Sequence, residues 1–191
     1  MRGQVDLKSR VQEVLTQRKK QRKATLGLTQ AAVLIPLFEH QGEYYVLLTK
    51  RTEKVEKHKG QPCFPGGAAH EGDLSLLDTA LRETWEEIGL YPEDVELLGE
   101  FDELETPTTF FHITPFVGMI PYPYPFHVDR DEVEEIIEVP LSVLRDPRNY
   151  WEETREYGGQ PFPVSHYRYG EYVIWGATAR MLKDFLALVF G

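Results

Sequence analysis

Cysteine is almost missing from this chain: Cys63 is the only one in 191 residues. No disulfide can close within it, which fits a reducing compartment such as the cytoplasm. Long apolar runs are missing too. The run AAVLIPLF at 31–38 falls far below the roughly 20 residues a membrane span needs. The opening MRGQV leads into polar sequence without an apolar signal core, so neither a secretory leader nor a membrane partner is expected. Acids are scarce in residues 1–30, where eight Lys/Arg meet only Asp6 and Glu13, a net of +6. Bases are scarce in the rest, where 13 Lys/Arg face 29 Asp/Glu, a net of −16. A nucleic-acid-tracking surface needs clustered cations, so that acidic body argues against such a partner.

What is present reads as one domain with an appendage: a basic helical arm at 1–28 and a globular domain at 29–191. Val5, Val11, Val14 and Leu15 give a modest helical stripe over 5–23, read as a solvated helix or as an arm for a substrate phosphate or partner. AAVLIPLF and YYVLLTKR (44–51) flank a turn and predict a hairpin. Gly60, Pro62, Pro65, Gly66 and Gly67 then break regular structure. Asp73 or Ser75 can cap the next helix, which Gly89 ends. Its Leu77, Leu81, Trp85 and Ile88 form an apolar face expected in the core. Strands are expected at 95–101 and 110–120, a Pro/aromatic loop at 120–129, and a strand turning into a short helix at 134–144. Residues 145–163 read as loop, 166–176 as a hairpin and 178–190 as an amphipathic helix. The mixture predicts an α+β class with an α/β/α layered arrangement.

One stretch of that central helix resists a purely structural explanation. In RETWEEIGL (82–90), with Glu83 at zero on a helical wheel, Glu87 lies at about 40° and Glu86 at about 300°, so three acids share a face. Like charges so spaced cost roughly 0.2–0.5 kcal/mol per pair. The negative end of the helix dipole adds roughly 0.3–1 kcal/mol each. A hard divalent cation relieves both, and Mg²⁺ takes oxygen ligands with phosphate oxygens completing its shell. The pattern points to a metal held against a phosphorylated substrate.

From Gly67 the chain runs GAAHEGDLSLLDTALRETWEEIGL, which resembles the Nudix box. Arg82, Glu83, Glu86, Glu87, Gly89 and Leu90 match. Asp73 stands where a Glu is expected, one residue further from Arg82 than usual, and Thr84 replaces an apolar residue. Upstream, LLTKRTEKVEKHKGQPCFPGG at 47–67 resembles a second signature, that of the coenzyme A pyrophosphatase branch. Leu47, Leu48, Thr49, Arg51, Gly60, Phe64, Pro65, Gly66 and Gly67 fall in register; Glu56 replaces an Arg. EVPL and WGATARML (175–182) look like the same branch.

The resemblance implies a mixed central sheet between helices, with the box as loop–helix–loop. It implies metal-dependent hydrolysis of the diphosphate of coenzyme A or acyl-CoA, giving 3′,5′-ADP and (acyl-)4′-phosphopantetheine. Glu56 keeps another small nucleotide substrate open: ADP-ribose, NADH or a dinucleoside polyphosphate. A catalytically silent ligand-binding module is the alternative of another class. By match, Glu83, Glu86, Glu87 and the Gly67 carbonyl hold Mg²⁺ or Mn²⁺, and Arg82 orients a carboxylate. Arg51, His58, Gly66 and Gly67 are the substrate-binding candidates. Glu132, Glu134 or Glu135 supplies a further acid, with Asp102, Glu103 and Glu105 as rivals. Tyr122, Tyr124 and Phe126 are weighed as base-stacking or packing residues, and a homodimer is kept open.

Overall fold

The computed structural model describes residues 6–18, 27–53, 60–106 and 108–191. Its centre is an eight-stranded mixed sheet. Strand β1 (Thr29–His40) runs parallel to β7 (Phe111–Met119) along the whole length of β7. On its other side β1 meets β2 (Glu43–Arg51) across the turn at 41–42, and the short β4 (Gly66–Ala68). Strand β2 carries β3 (Pro62–Cys63) and β8 (Val133–Pro140), while β7 carries β5 (Glu96–Glu100) and β6 (Leu104–Thr106).

Strand β1 explains the layering. Its apolar run is buried without interruption from Ala31 to Phe38, as expected of a central strand covered on both faces. Alternation sends Ala32, Leu34 and Phe38 to one side, where Ala80 and Ile88 of helix α2 (Leu76–Ile88) meet them. Val33, Ile35 and Leu37 go to the other. There they join helix α1 (Leu7–Gln17), the short α3 (Leu141–Arg145) and helix α4 (Gly176–Phe190). The result is the layered arrangement read from the sequence.

Three readings need correcting. The N-terminal helix is docked rather than solvated: Leu7, Val11 and Leu15 are buried in the larger apolar cluster. The segment 145–163 is not loop, because β9 (Tyr150–Tyr157) and the start of β10 (Gln160–Tyr169) lie in it. With β11 (Tyr172–Trp175) they make a separate three-stranded antiparallel sheet. β9 hides from a periodicity reading because most of its residues are exposed, so no apolar face marks it. On α2, Ile88 is in the core but Trp85 is 47% exposed. The sheet takes the face carrying Ala80, Thr84, Glu87 and Ile88 instead. Thr84 fits there because its hydroxyl donates to the Ala80 carbonyl at 2.7 Å, leaving its methyl to pack. No helix among the described residues is long and apolar enough to cross a membrane.

Candidate active site

Helix α2 is set by its ends. Ser75, not Asp73, is the N-cap, its hydroxyl accepting from the Asp78 amide at 3.1 Å, and Gly89 closes the helix in the left-handed conformation. Asp73 is thereby free for another task. It takes Arg82 bidentately, with Nε to Oδ1 at 2.8 Å and Nη2 to Oδ2 at 3.0 Å. It also accepts from the Thr79 hydroxyl at 2.8 Å and the His70 amide at 2.9 Å. These donors hold the Asp73 carboxyl well below the usual carboxylate range, Arg82 contributing most. Anchored so, Arg82 turns Nη1 onto Glu83 at 2.8 Å and Glu86 at 2.9 Å.

The three glutamates share a face, but in graded environments. Glu86 is 48% exposed at its side chain, Glu83 15% and Glu87 2%. Burial pushes the Glu87 carboxyl up to about 8, against the pull of the Arg51 guanidinium and the Gly66 amide, with Glu83 and Glu132 raising it further. Arg51 Nη1 lies 3.3 Å from Glu87 Oε1, and the Gly66 amide donates to Oε2 at 3.3 Å. Two arginines thus offset the repulsion that the sequence alone left unrelieved. Among the described residues no three His, Cys, Asp or Glu side chains converge as a closed metal cluster.

Gly67 lies over Glu83. A Cβ built there would stand 2.3 Å from Glu83 Oε2, so the carboxylate fills the space a side chain would take. Strand β4 holds this glycine pair against β1, with Gly67 opposite Ala32 and Gly66 opposite Val33. The carboxylates gathered here are of the kind a hard divalent cation takes, so the chemistry of the donor set fits such an ion.

The further acids separate. Glu132 comes to Arg51, Oε2 to Nη2 at 3.7 Å. Glu134 and Glu135 go instead to Lys50, each at 3.1 Å. Asp102 pairs with Arg18, and Glu103 faces His112 Nε2 at 3.2 Å. His58 lies outside the described residues, as does Glu56. Tyr122 and Tyr124 are packing residues: Tyr122 stacks on Phe38 at 4.3 Å between ring centres, and the Tyr124 hydroxyl donates to Asp94 at 2.7 Å. Cys63 is a structural thiol, pushed up to about 11 by burial beside Thr49.

A glutamate-bearing helix beneath a glycine turn, on a mixed sheet between helices, defines a hydrolase of phosphorus-containing anhydrides. The family model for the NUDIX domain matches residues 28–158, and the chain belongs to the Nudix family. It is 38% identical over 175 residues to a relative from Cronobacter sakazakii, covering 88% of this chain and 86% of the relative. It is 39% identical over 167 residues to one from Citrobacter koseri, covering 87% and 85%. Both carry the description "Uncharacterized Nudix hydrolase NudL". A NUDIX hydrolase structure from Alicyclobacillus acidocaldarius shares the fold at a TM-score of 0.59 and 19% identity, over 86% of this chain and 93% of that one. The NUDIX domain of Shewanella oneidensis NrtR, solved with ADP ribose, does so at 0.51 and 21%, over 69% and 84%. Family members act on small nucleotide substrates and generally need divalent metal ions. The chain is accordingly a hydrolase of a pyrophosphate-containing substrate.

Proposed function

We propose that this hydrolase cleaves the diphosphate of coenzyme A or an acyl-CoA, releasing 3′,5′-ADP and (acyl-)4′-phosphopantetheine. What supports this reading is the meeting of two sequence signatures at one carboxylate: Arg51 and Gly66, from the 47–67 segment, both contact Glu87 of the box. The stretch that resembles the branch signature therefore borders the box helix. Glu83, Glu86, Glu87 and the Gly67 carbonyl would hold Mg²⁺ or Mn²⁺. A bound divalent ion neutralises the diphosphate and lowers the pKa of an attacking water. Glu83, which Arg82 contacts at 2.8 Å, or a loop carboxylate would accept that water's proton. Arg51 offers a cation to a phosphate oxygen, and the Gly66–Gly67 turn lets the backbone approach it. Asp73 keeps Arg82, and through it Glu83 and Glu86, in place. A cytoplasmic setting, and assembly as a homodimer, belong to the same proposal.

The test is a substrate panel of CoA, acyl-CoA, ADP-ribose, NADH and diadenosine polyphosphates, with Mg²⁺ and with Mn²⁺. CoA or acyl-CoA should give the highest kcat/KM. Glu83→Gln should lower kcat by about 10²–10⁴-fold with an unchanged circular dichroism spectrum. Cleavage of ADP-ribose with CoA left intact would shift the assignment to the reading that Glu56 motivates. No cleavage of any member would leave a ligand-binding module.

A further inference from the structure

Three glutamates of the stretch 132–135 look alike in the sequence, and the structure gives them different partners. Glu134 and Glu135 both go to Lys50 Nζ at 3.1 Å, and Glu135 also accepts from the Tyr172 hydroxyl at 3.0 Å. Glu132 stands apart. Its Oε2 lies 3.7 Å from Arg51 Nη2, and its side chain is half-exposed. Its charge also reaches the buried Glu87, whose carboxyl it helps to push up.

The loop that carries Glu132, between β7 and β8, is tied down on two sides. Toward the box helix, the His127 amide donates to the Ile88 carbonyl and the Asp129 amide to the Glu87 carbonyl, both at 2.9 Å. Those carbonyls belong to the last turn of α2, which has no intrahelical donors for them. Toward β2, the Glu132 carbonyl accepts from the Thr52 amide at 2.9 Å and the Asp131 carbonyl from the Thr52 hydroxyl at 2.8 Å. Thr52 is 7% exposed, so this second tie is shielded from water. It also follows Arg51 directly, and the loop is thereby pinned beside the cation that Glu132 faces.

Arg51 is shared, and its two pairs are unequal. Nη1 reaches Glu87 Oε1 at 3.3 Å, and breaking that contact would strand a carboxylate that is 2% exposed. The pair with Glu132 is open to water, and at 3.7 Å it is an ion pair without a hydrogen bond. An incoming anion therefore takes Arg51 from Glu132 and leaves Glu87 in place.

We propose that Glu132 is an affinity-setting residue of the hydrolase: it is the resting counter-charge of Arg51, and a substrate phosphate displaces it to bind. This rests on the reading of Arg51 as a phosphate contact and adds to it a residue that opposes binding. It gives Glu132 no share in holding the metal or in taking the proton of the attacking water. A carboxylate pinned beside the phosphate position repels the anion that Arg51 attracts. The same repulsion weakens the hold on an anionic product.

Binding is measured first without turnover. The full chain, in a chelator, is titrated calorimetrically with inorganic pyrophosphate. Glu132→Gln keeps the size of the side chain and removes its charge, and it should tighten pyrophosphate binding about three- to tenfold. Glu134→Gln makes the same change of charge two residues away, on a carboxylate that faces Lys50, and should shift that affinity less than about twofold. The chelator is then removed and Mn²⁺ alone is titrated; Glu132→Gln should bind it within about twofold of the native chain. In turnover, Glu132→Gln should lower KM about three- to tenfold with kcat within about threefold. Loss of Mn²⁺ affinity, or a fall in kcat of about 10²-fold or more, would make Glu132 a metal ligand or proton acceptor and overturn the proposal. Unchanged pyrophosphate affinity and KM in Glu132→Gln would overturn it too, while leaving the hydrolase reading standing. A chain that cleaves no diphosphate but binds pyrophosphate more tightly as Glu132→Gln would remove the hydrolase reading and keep the assignment of Glu132.

Discussion

Gly67 shows how one missing methyl group shapes the site. Any Cβ at this position would displace the Glu83 carboxylate, whose nearest oxygen stands 2.3 Å from it. The obstacle is the end of a flexible side chain, so Gly67→Ala should fold, with a Tm within a few degrees of the native value. A misplacement of about 1 Å at a reacting centre can cost about 10²-fold in rate. Gly67→Ala should therefore lose about 100-fold in kcat while keeping its stability; steady-state kinetics beside a thermal melt checks both. The sequence marks Gly67 as a candidate, because the Gly-Gly pair opens the box. That Glu83 is the side chain filling its empty space was not, since nothing in spacing says which of three glutamates turns under the loop. The graded burial of the trio was hidden for the same reason: all three share a face, and only the sheet beneath decides that Glu87 is buried and Glu86 half-exposed.

At the scale of the element, α2 and the loop before it act as one clamp. Asp73 looks in the sequence like an off-register version of a box glutamate. In the structure it is the anchor of Arg82, satisfied by four donor contacts and 8% exposed at its side chain. The nine-residue separation of Asp73 and Arg82 crosses a loop, and pattern reading offers no rule for such a span. Because folding depresses the Asp73 pKa, the clamp's stability is fully present above the ordinary value of 3.8 and is lost as pH falls below it, toward the folded-state value. Asp73→Asn should cost about 2–3 kcal/mol at neutral pH, the worth of charged hydrogen bonds removed from a partly buried partner. Melts from pH 7 down to pH 3 should show a constant gap between the native chain and Asp73→Asn at neutral pH that begins to narrow below about pH 4. Curves that stay parallel would mean that Arg82 is held by something else. The same element explains the misread face: Trp85 looks like core on a helical wheel, but the sheet reaches α2 from the Thr84 and Glu87 side. An apolar stripe reports where burial is favourable, not where the neighbouring layer lies.

For the whole molecule, the sheet separates the proposed site from its support. The box helix and glycine turn occupy one face, and α1, α4 and the larger apolar cluster occupy the other. Most of this layering could be read from the chain, because β1's unbroken apolar run demands cover on both sides. The docking of α1 could not, since its burial depends on residues far along the chain, in β5 and α4. Asp6 caps α1 and accepts from the Tyr44 hydroxyl at 2.5 Å, while Arg18 past its end donates to Asp102 and lies 4.7 Å above the Phe101 ring. Cutting the segment away to test the basic arm would thus also remove core.

A point substitution separates the two roles of that segment. Leu15 is 5% exposed, and its side chain lies against the Cβ position of Gly99 on β5, with Cβ and Cδ1 both 3.1 Å away. Leu15→Ala should cost about 2–5 kcal/mol. At about 2–4 °C per kcal/mol for a chain of this size, Tm should fall by roughly 4–20 °C. Leu74→Ala, at a residue 95% exposed in the loop before α2, should leave Tm unchanged and serves as the control. Since α1 lies across the sheet from the glutamates, kcat of Leu15→Ala well below its Tm should stay within about twofold of native. A large loss of kcat at native-like stability would mean that support and chemistry are coupled through β1, and that the two faces of the sheet do not work independently.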